Sequence, residues 1–145
     1  MKHELKNAFG QTYLTIDVIK DKRWIQITWK GYLSEAIIKE GAMAVTQAVS
    51  TSELNCILND MQLVLGPIRS SEWAAVEWAP QVAEAGLKYM ALVNTPGAIA
   101  ETDIATFHTR QEYFQTKVLT SLDAGKEWLR QHCPQKLTKP DLLIR

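Results

Sequence analysis

The sequence predicts a single α/β domain with a mixed, mostly parallel sheet. The chain has 145 residues, of which 46% are hydrophobic and 22% charged, which is typical of one compact domain. Segments with helical periodicity alternate with short apolar runs of the kind that form buried strands. The first two strand-like segments are close enough in sequence to form a hairpin. We therefore expect five strands and about four helices in the order ββαβαβαβα.

The first three elements are predicted to be a hairpin followed by a helix. Residues 12–19 alternate and are rich in β-branched and aromatic types, which favours a strand. After the polar turn at Asp21 and Lys22, residues 24–29 resume the extended pattern. Ser34 is a suitable N-cap, and apolar residues then recur at helical spacing, which predicts a helix over residues 34–50.

The second strand predicts different environments for its two tryptophans. Ile25, Ile27 and Trp29 share one face of the strand, which indicates that Trp29 belongs to the core. Trp24 lies on the opposite face. We expect it to be exposed or to form a contact in a possible homodimer.

The middle of the chain predicts a strand, a loop and a helix. Residues 54–59 form a mostly apolar run that ends at Asp60 and suits a buried strand. The following loop leads to a helix that Ser70 or Ser71 can cap. Pro80 must kink that helix or start a second one, and Gly86 is well placed to end it.

The last third of the chain predicts two more strands and two helices. Residues 87–93 suit a buried strand, residues 99–108 a short helix, and residues 113–118 a fifth strand. Ser121 can cap a final helix, which Pro134 ends. The predicted organisation is a loose N-terminal segment over residues 1–11, one domain over residues 12–133, and a C-terminal tail over residues 134–145.

Composition excludes several classes of partner. The 16 Lys and Arg residues balance 16 Asp and Glu residues, so no excess of positive charge predicts binding to nucleic acid phosphates. No apolar run approaches the roughly 20 residues that span a bilayer, so we expect no stable membrane insertion. Charged residues at the start of the chain do not resemble an export signal, which favours a cytoplasmic protein.

The two cysteines carry no recognisable motif. Cys56 and Cys133 lack the paired spacing of a zinc site or a redox motif. Cys56 lies in an apolar run, where a small buried side chain is the simplest interpretation. Cys133 lies beside Pro134 and is expected to be incidental. We expect no metal and no cofactor.

Several local features accompany the element order. They are Trp29-Lys30-Gly31 before the first helix, Leu58-Asn59-Asp60 at the end of the third strand, Ala85-Gly86-Leu87-Lys88 before the fourth, and Ser121, Ala124 and Trp128-Leu129 in the last helix. Over residues 12–132 the chain resembles the STAS-type domains of bacterial anti-sigma-factor antagonists. It is most similar to the stand-alone branch with CRAL-TRIO-like character. The resemblance implies a SpoIIAA/STAS-like single domain and a regulatory or protein-interaction function.

One departure from the antagonist pattern concerns the switch serine. In that family a strand ending in Asp is followed directly by a Ser-Ser-Gly or Ser-Thr-Gly turn, and the first serine is phosphorylated. Here Asp60 is followed by Met61-Gln62-Leu63, so the usual phosphorylatable serine is missing. Ser70 and Ser71 stand at a helix start, where a phosphate is favoured, but helix capping is the preferred explanation for both.

The candidate site is the crevice where loops follow the carboxyl ends of parallel strands. Its predicted members are Asp60, Met61, Leu63, Leu65, Ser70, Ser71, Trp73 and Asn94. Their mixture of apolar and aromatic side chains suits a protein partner or a small apolar, lipid-like ligand. The alternative is that Leu63, Leu65 and Ile68 form a local core beneath Trp73. The sequence contains no catalytic motif, so we expect a non-enzymatic protein.

Overall fold

The computed structural model describes residues 1–133 and confirms the α/β class. Six strands form one mixed sheet and lie across it in the order of the chain. The strands are β1 (Lys2–Lys6), β2 (Thr12–Ile19), β3 (Trp24–Gly31), β4 (Cys56–Val64), β5 (Tyr89–Val93) and β6 (Gln115–Leu119). The helices are α1 (Glu35–Ser52), α2 (Ser71–Trp73), a π turn (Ala74–Trp78), α3 (Ala79–Ala85), α4 (Glu101–Arg110) and α5 (Leu122–His132). Helix α2, the π turn and α3 follow one another without a break.

The sheet has an antiparallel half and a parallel half. Strands β1, β2 and β3 pair antiparallel, and β3, β4, β5 and β6 pair parallel. The predicted hairpin is β2–β3, in which Leu14 lies opposite Trp29. Each parallel connection crosses over through a helix, as the alternation of patterns in the sequence predicted.

The prediction for the N-terminal segment is wrong. Residues 1–11 were expected to be loose, but Lys2–Lys6 form the edge strand β1, so the sheet has six strands and not five. Leu5 lies opposite Leu14 and is half-buried, whereas the charged residues of the strand are exposed. Exposed charges are common on edge strands. Because of them, this segment lacks the alternation of apolar and polar residues that identifies a strand in the sequence.

The sheet is covered on both faces. Helices α1, α3 and α4 and the π turn cover one face, over a large core that includes Ile27, Ile57 and Leu92. Helix α5 covers the other face, where Leu129 packs in a smaller core with Leu58 and Val93. The domain therefore has three layers.

Trp24 belongs to the smaller core, so the prediction that it is exposed or forms a dimer contact is wrong. Its side chain is 1% exposed and packs in the cluster that α5 covers. The parity of the strand correctly placed Trp24 opposite Trp29, but it does not indicate that α5 covers that face. A buried Trp24 offers no contact to a second copy of the chain.

Local signals fixed three of the helix ends. Ser34 accepts a hydrogen bond from the Ile37 N–H at 3.2 Å, and Ser121 accepts one from the Ala124 N–H at 3.1 Å. Gly86, with φ of 130°, ends α3 as predicted. Pro80 lies in the first turn of α3, where its missing N–H is tolerated next to the π turn.

Strand β4 is longer than predicted. It continues to Val64, past the expected end at residue 59, because the pairing with β3 continues after an irregularity between Thr28 and Lys30. Met61 and Leu63 therefore lie in a strand, where a loop was expected.

The cysteines form a disulfide, which corrects the expectation that Cys133 is incidental. Cys56, at the start of β4, is bonded to Cys133, which follows α5, across 77 positions of sequence. Both residues are buried, as predicted for Cys56. The predicted tail over residues 134–145 lies outside the described residues. None of the helices within residues 1–133 is both long and apolar enough to cross a membrane.

Candidate functional site

An apolar cavity of about 70 Å³ lies between the sheet and the helices of the larger core. The sheet contributes side chains of β3, β4 and β5, and the opposite wall comes from α1, the segment from Ile68 to Trp78, and α4. The residues that line it include Trp29, Asn59, Met61, Ser70, Ser71, Trp73, Ala74, Trp78, Asp103 and Phe107. The volume is several times the ~15 Å³ that one enclosed water needs.

The cavity has a buried floor and a partly exposed rim. On the floor, Trp29 and Trp78 are each 6% exposed. The rim consists of Met61, Ser71, Trp73, Ala74 and Asp103, which are all half-buried. A small molecule can therefore reach the cavity at the rim without opening the core.

The π turn is anchored to α1 by Trp78. The indole Nε1 of Trp78 donates to the Ala42 carbonyl at 3.0 Å and to the Thr46 hydroxyl at 2.8 Å. Its ring also packs against Phe107, with the ring centroids 6.2 Å apart. A π turn widens a helix locally and is frequently found at functional sites. These contacts hold the widened turn over the cavity.

Two residues that line the cavity each have a buried polar atom without a hydrogen-bond partner within residues 1–133. These atoms are the side-chain oxygen of Asn59, a residue that is 7% exposed, and the hydroxyl of Ser70, a residue that is 1% exposed. The Asn59 amide nitrogen has only a weak contact, 3.7 Å from the Met90 sulfur. Most buried polar atoms in native proteins are paired, so two unpaired atoms on one cavity are unusual.

Asp103 is the one charged side chain on the described wall of the cavity. One of its carboxylate oxygens accepts a hydrogen bond from the Ile68 N–H at 2.8 Å, which ties α4 to the segment before α2. The Lys39 ammonium lies 5.2 Å from the centre of the Trp73 ring at the rim. Glu72 and Arg110 form a further ion pair between α2 and α4.

The structure brings together half of the predicted site residues. Met61, Ser70, Ser71 and Trp73 all line the cavity. Ser70 occupies the N-cap position of α2, but its side chain accepts no capping hydrogen bond, so capping does not explain it.

The other four predicted site residues lie elsewhere. Leu63 and Leu65 are half exposed on the surface, so of the alternative local core only Ile68 is buried. Asp60 is buried and accepts a hydrogen bond from the Gln62 N–H at 3.0 Å, which orders its own strand. Asn94 is buried, and its backbone N–H donates to the Leu119 carbonyl at 3.0 Å.

Asn59 and Asp103 line the cavity but were not among the predicted site residues. Asn59 carried a usable signal, because an amide side chain interrupts an otherwise apolar strand. Asp103 carried none, since its place on the cavity depends on how α4 packs.

The described residues do not assemble an acid–base pair at the cavity. His108 has its Nδ1 atom 2.6 Å from the Thr116 hydroxyl, and Asp60 is bonded to its own strand. Within residues 1–133, no three His, Cys, Asp or Glu side chains are grouped so that they could hold a metal ion. The arrangement can enclose and orient a small molecule.

Comparisons with known proteins do not identify a family. No family model matches the chain, and no curated protein matches it. The resemblance to STAS-type domains therefore stays a prediction, while the α/β class with a six-stranded mixed sheet rests on the structure itself.

Proposed function

We propose that the protein binds a small, largely apolar molecule in the cavity beneath the π turn, without chemical conversion. The observation that carries this proposal is the cavity itself, which is apolar on nearly all sides and accessible at a half-buried rim. Ligand sites in proteins are typically concave and apolar, with a few polar groups that orient the ligand.

Energetics support a ligand at this place. At about 24 cal/mol per Å³, an unfilled apolar cavity of about 70 Å³ costs the fold between about 1 and 2 kcal/mol. A ligand that fills the space restores the missing dispersion contacts to Trp29, Trp78 and Phe107. Binding and folding stability are therefore coupled, and a ligand should raise the melting temperature.

The five tryptophans provide an internal test by NMR with hexane as the apolar probe, because a thin chain can enter a cavity of about 70 Å³. Trp29, Trp73 and Trp78 line the cavity, whereas Trp24 and Trp128 lie in or against the smaller core on the other face of the sheet. We expect saturable shifts of the first three indole N–H signals and none of the last two. Equal shifts of all five signals, or no shifts, would count against the proposal.

A cavity-filling variant completes this test. Ala74→Phe places a large side chain at the half-buried rim and is expected to abolish hexane binding. Ala36→Phe, on the exposed surface of α1, is the matched control and should bind as the wild type does. Undiminished binding by Ala74→Phe would show that hexane binds elsewhere.

The regulatory or protein-interaction function that the family resemblance implies stays a prediction. A protein-interaction surface requires exposed apolar side chains. Near the ends of β3 and β4 these are Tyr32, Leu63 and Leu65. No contact within the described residues indicates what would cover them. We therefore base the proposed function on the cavity.

A further inference from the structure

We infer that the ligand is an uncharged molecule with a hydroxyl group, and that Asn59 and Ser70 bind this hydroxyl at the floor of the cavity. The inference rests on the proposed function and specifies its ligand class. It is carried by the two buried, unpaired polar atoms on an otherwise apolar wall.

The two atoms require a partner that is absent from the protein wall. On folding, the Asn59 oxygen and the Ser70 hydroxyl lose their hydrogen bonds to water, and no described residue replaces them. Such groups destabilise a fold unless a ligand or a bound water pairs with them. Ser70 caps nothing, so its hydroxyl has no structural role within its own helix.

A hydroxyl group matches these atoms better than other small polar groups. It donates one hydrogen bond and accepts others, so it can donate to the Asn59 oxygen while it accepts from Ser70. It also fits the amide in either orientation, since it can accept from the amide nitrogen instead. A pure hydrocarbon would leave both polar atoms unpaired.

The charges around the cavity disfavour an anionic ligand. Asp103 is the charged side chain on the described wall, and its carboxylate would repel a second carboxylate. Lys39, which lies over the Trp73 ring and does not line the cavity, is 3.8 Å from the Glu35 carboxylate, so its charge already has a partner. An anion on the floor would lose its hydration without gaining a counter-ion.

The volume indicates how much of the ligand is enclosed. An apolar cavity of ~150 Å³ accommodates benzene, so about 70 Å³ encloses a hydroxyl with a few carbon atoms. A longer chain would leave through the rim between Met61 and Trp73. A single water could also pair with Asn59 and Ser70, but it would leave most of the space of about 70 Å³ unfilled.

The test compares 1-hexanol, hexane and hexanoate, which share a chain and differ in the head group. Dissociation constants are measured from the Trp73 and Trp78 indole signals of the full chain. We expect 1-hexanol to bind at least about tenfold more tightly than hexane and than hexanoate, as one satisfied buried hydrogen bond implies.

Two variants assign this preference to the named side chains. In Ser70→Ala and in Asn59→Leu, the preference for 1-hexanol over hexane should fall to about threefold or less, while hexane binds at least as tightly as before. Ser50→Ala, on the exposed surface of α1, is the matched control and should retain the full preference. If Asn59→Leu does not fold, Ser70→Ala alone decides.

The outcomes separate the inference from the proposed function. Hexane binding as tightly as 1-hexanol would overturn the hydroxyl assignment but leave the apolar site in place. Tighter binding of hexanoate would overturn the assignment of an uncharged ligand. If none of the three probes shifts the indole signals of the cavity tryptophans, water alone fills the site, and both the inference and the proposed function are wrong.

Discussion

At the scale of single residues, the clearest electrostatic feature is the phenol of Tyr13. The side chain is 2% exposed, and its hydroxyl donates to the Glu40 carboxylate at 2.9 Å. Burial, the hydrogen bond to Glu40 and the negative charge of Glu40 together raise the pKa of Tyr13 to about 12. The neutral phenol is thus favoured in the folded protein.

This raised pKa predicts a loss of stability in alkali. In the unfolded chain Tyr13 should ionise with a pKa near 10, so its contribution is complete below pH 10 and is lost as pH rises through about 12. Between pH 9 and pH 11 the loss should be about 1 kcal/mol. Urea unfolding of the wild type and of Tyr13→Phe measures it. Identical pH profiles of the two proteins would contradict the assignment.

At the scale of elements, two serines at helix starts have different roles. Ser121 accepts a hydrogen bond from the Ala124 N–H and caps α5, whereas Ser70 precedes α2 without any capping bond and faces the cavity. The same residue type at the same position before a helix therefore caps the helix in one place and lines a candidate site in the other.

This difference predicts that the same substitution affects the stability of the protein differently at the two positions. Ser121→Ala should destabilise the protein by about 1 kcal/mol, because an N–H of the first turn of α5 loses its acceptor. Ser70→Ala should leave stability unchanged or raise it slightly, since it removes an unpaired buried hydroxyl. Chemical denaturation of both variants provides the comparison. A similar loss in both would mean that Ser70 stabilises its helix after all.

At the scale of the whole molecule, the disulfide joins the sheet to the last helix. The bond between Cys56 and Cys133 closes a loop with a sequence separation of 77 and lies in the core between α5 and the sheet. Disulfides are typical of oxidising compartments. The cytoplasmic localisation predicted from the sequence thus stays a prediction that the disulfide does not favour.

Reduction of this bond is expected to lower stability by about 2 to 4 kcal/mol, because it releases a long loop in the unfolded chain. Guanidinium unfolding with and without dithiothreitol measures the loss. The double variant Cys56→Ser, Cys133→Ser is the control, since it should show the lower stability and no response to the reductant. Equal stability of the reduced and oxidised wild type would contradict this expectation.

The sequence by itself determined the features that depend on neighbouring residues. Alternation and helical periodicity predicted the β2–β3 hairpin, α1 and the α/β class, and short-range capping chemistry located Ser34, Ser121 and Gly86. Four of the predicted site residues, Met61, Ser70, Ser71 and Trp73, lie together on one cavity, because they lie in the last part of the parallel strand β4 or soon after it.

Only the tertiary structure decided the features that join distant segments. Strand parity placed Trp24 opposite Trp29, but the burial of Trp24 depends on α5, about a hundred residues later. The disulfide, the pairing of β1 and the position of Asp103 on the cavity likewise join segments whose separation leaves no local pattern. The physical reason is that periodicity reports which side chains share a face, whereas packing decides what covers that face and where a space is left.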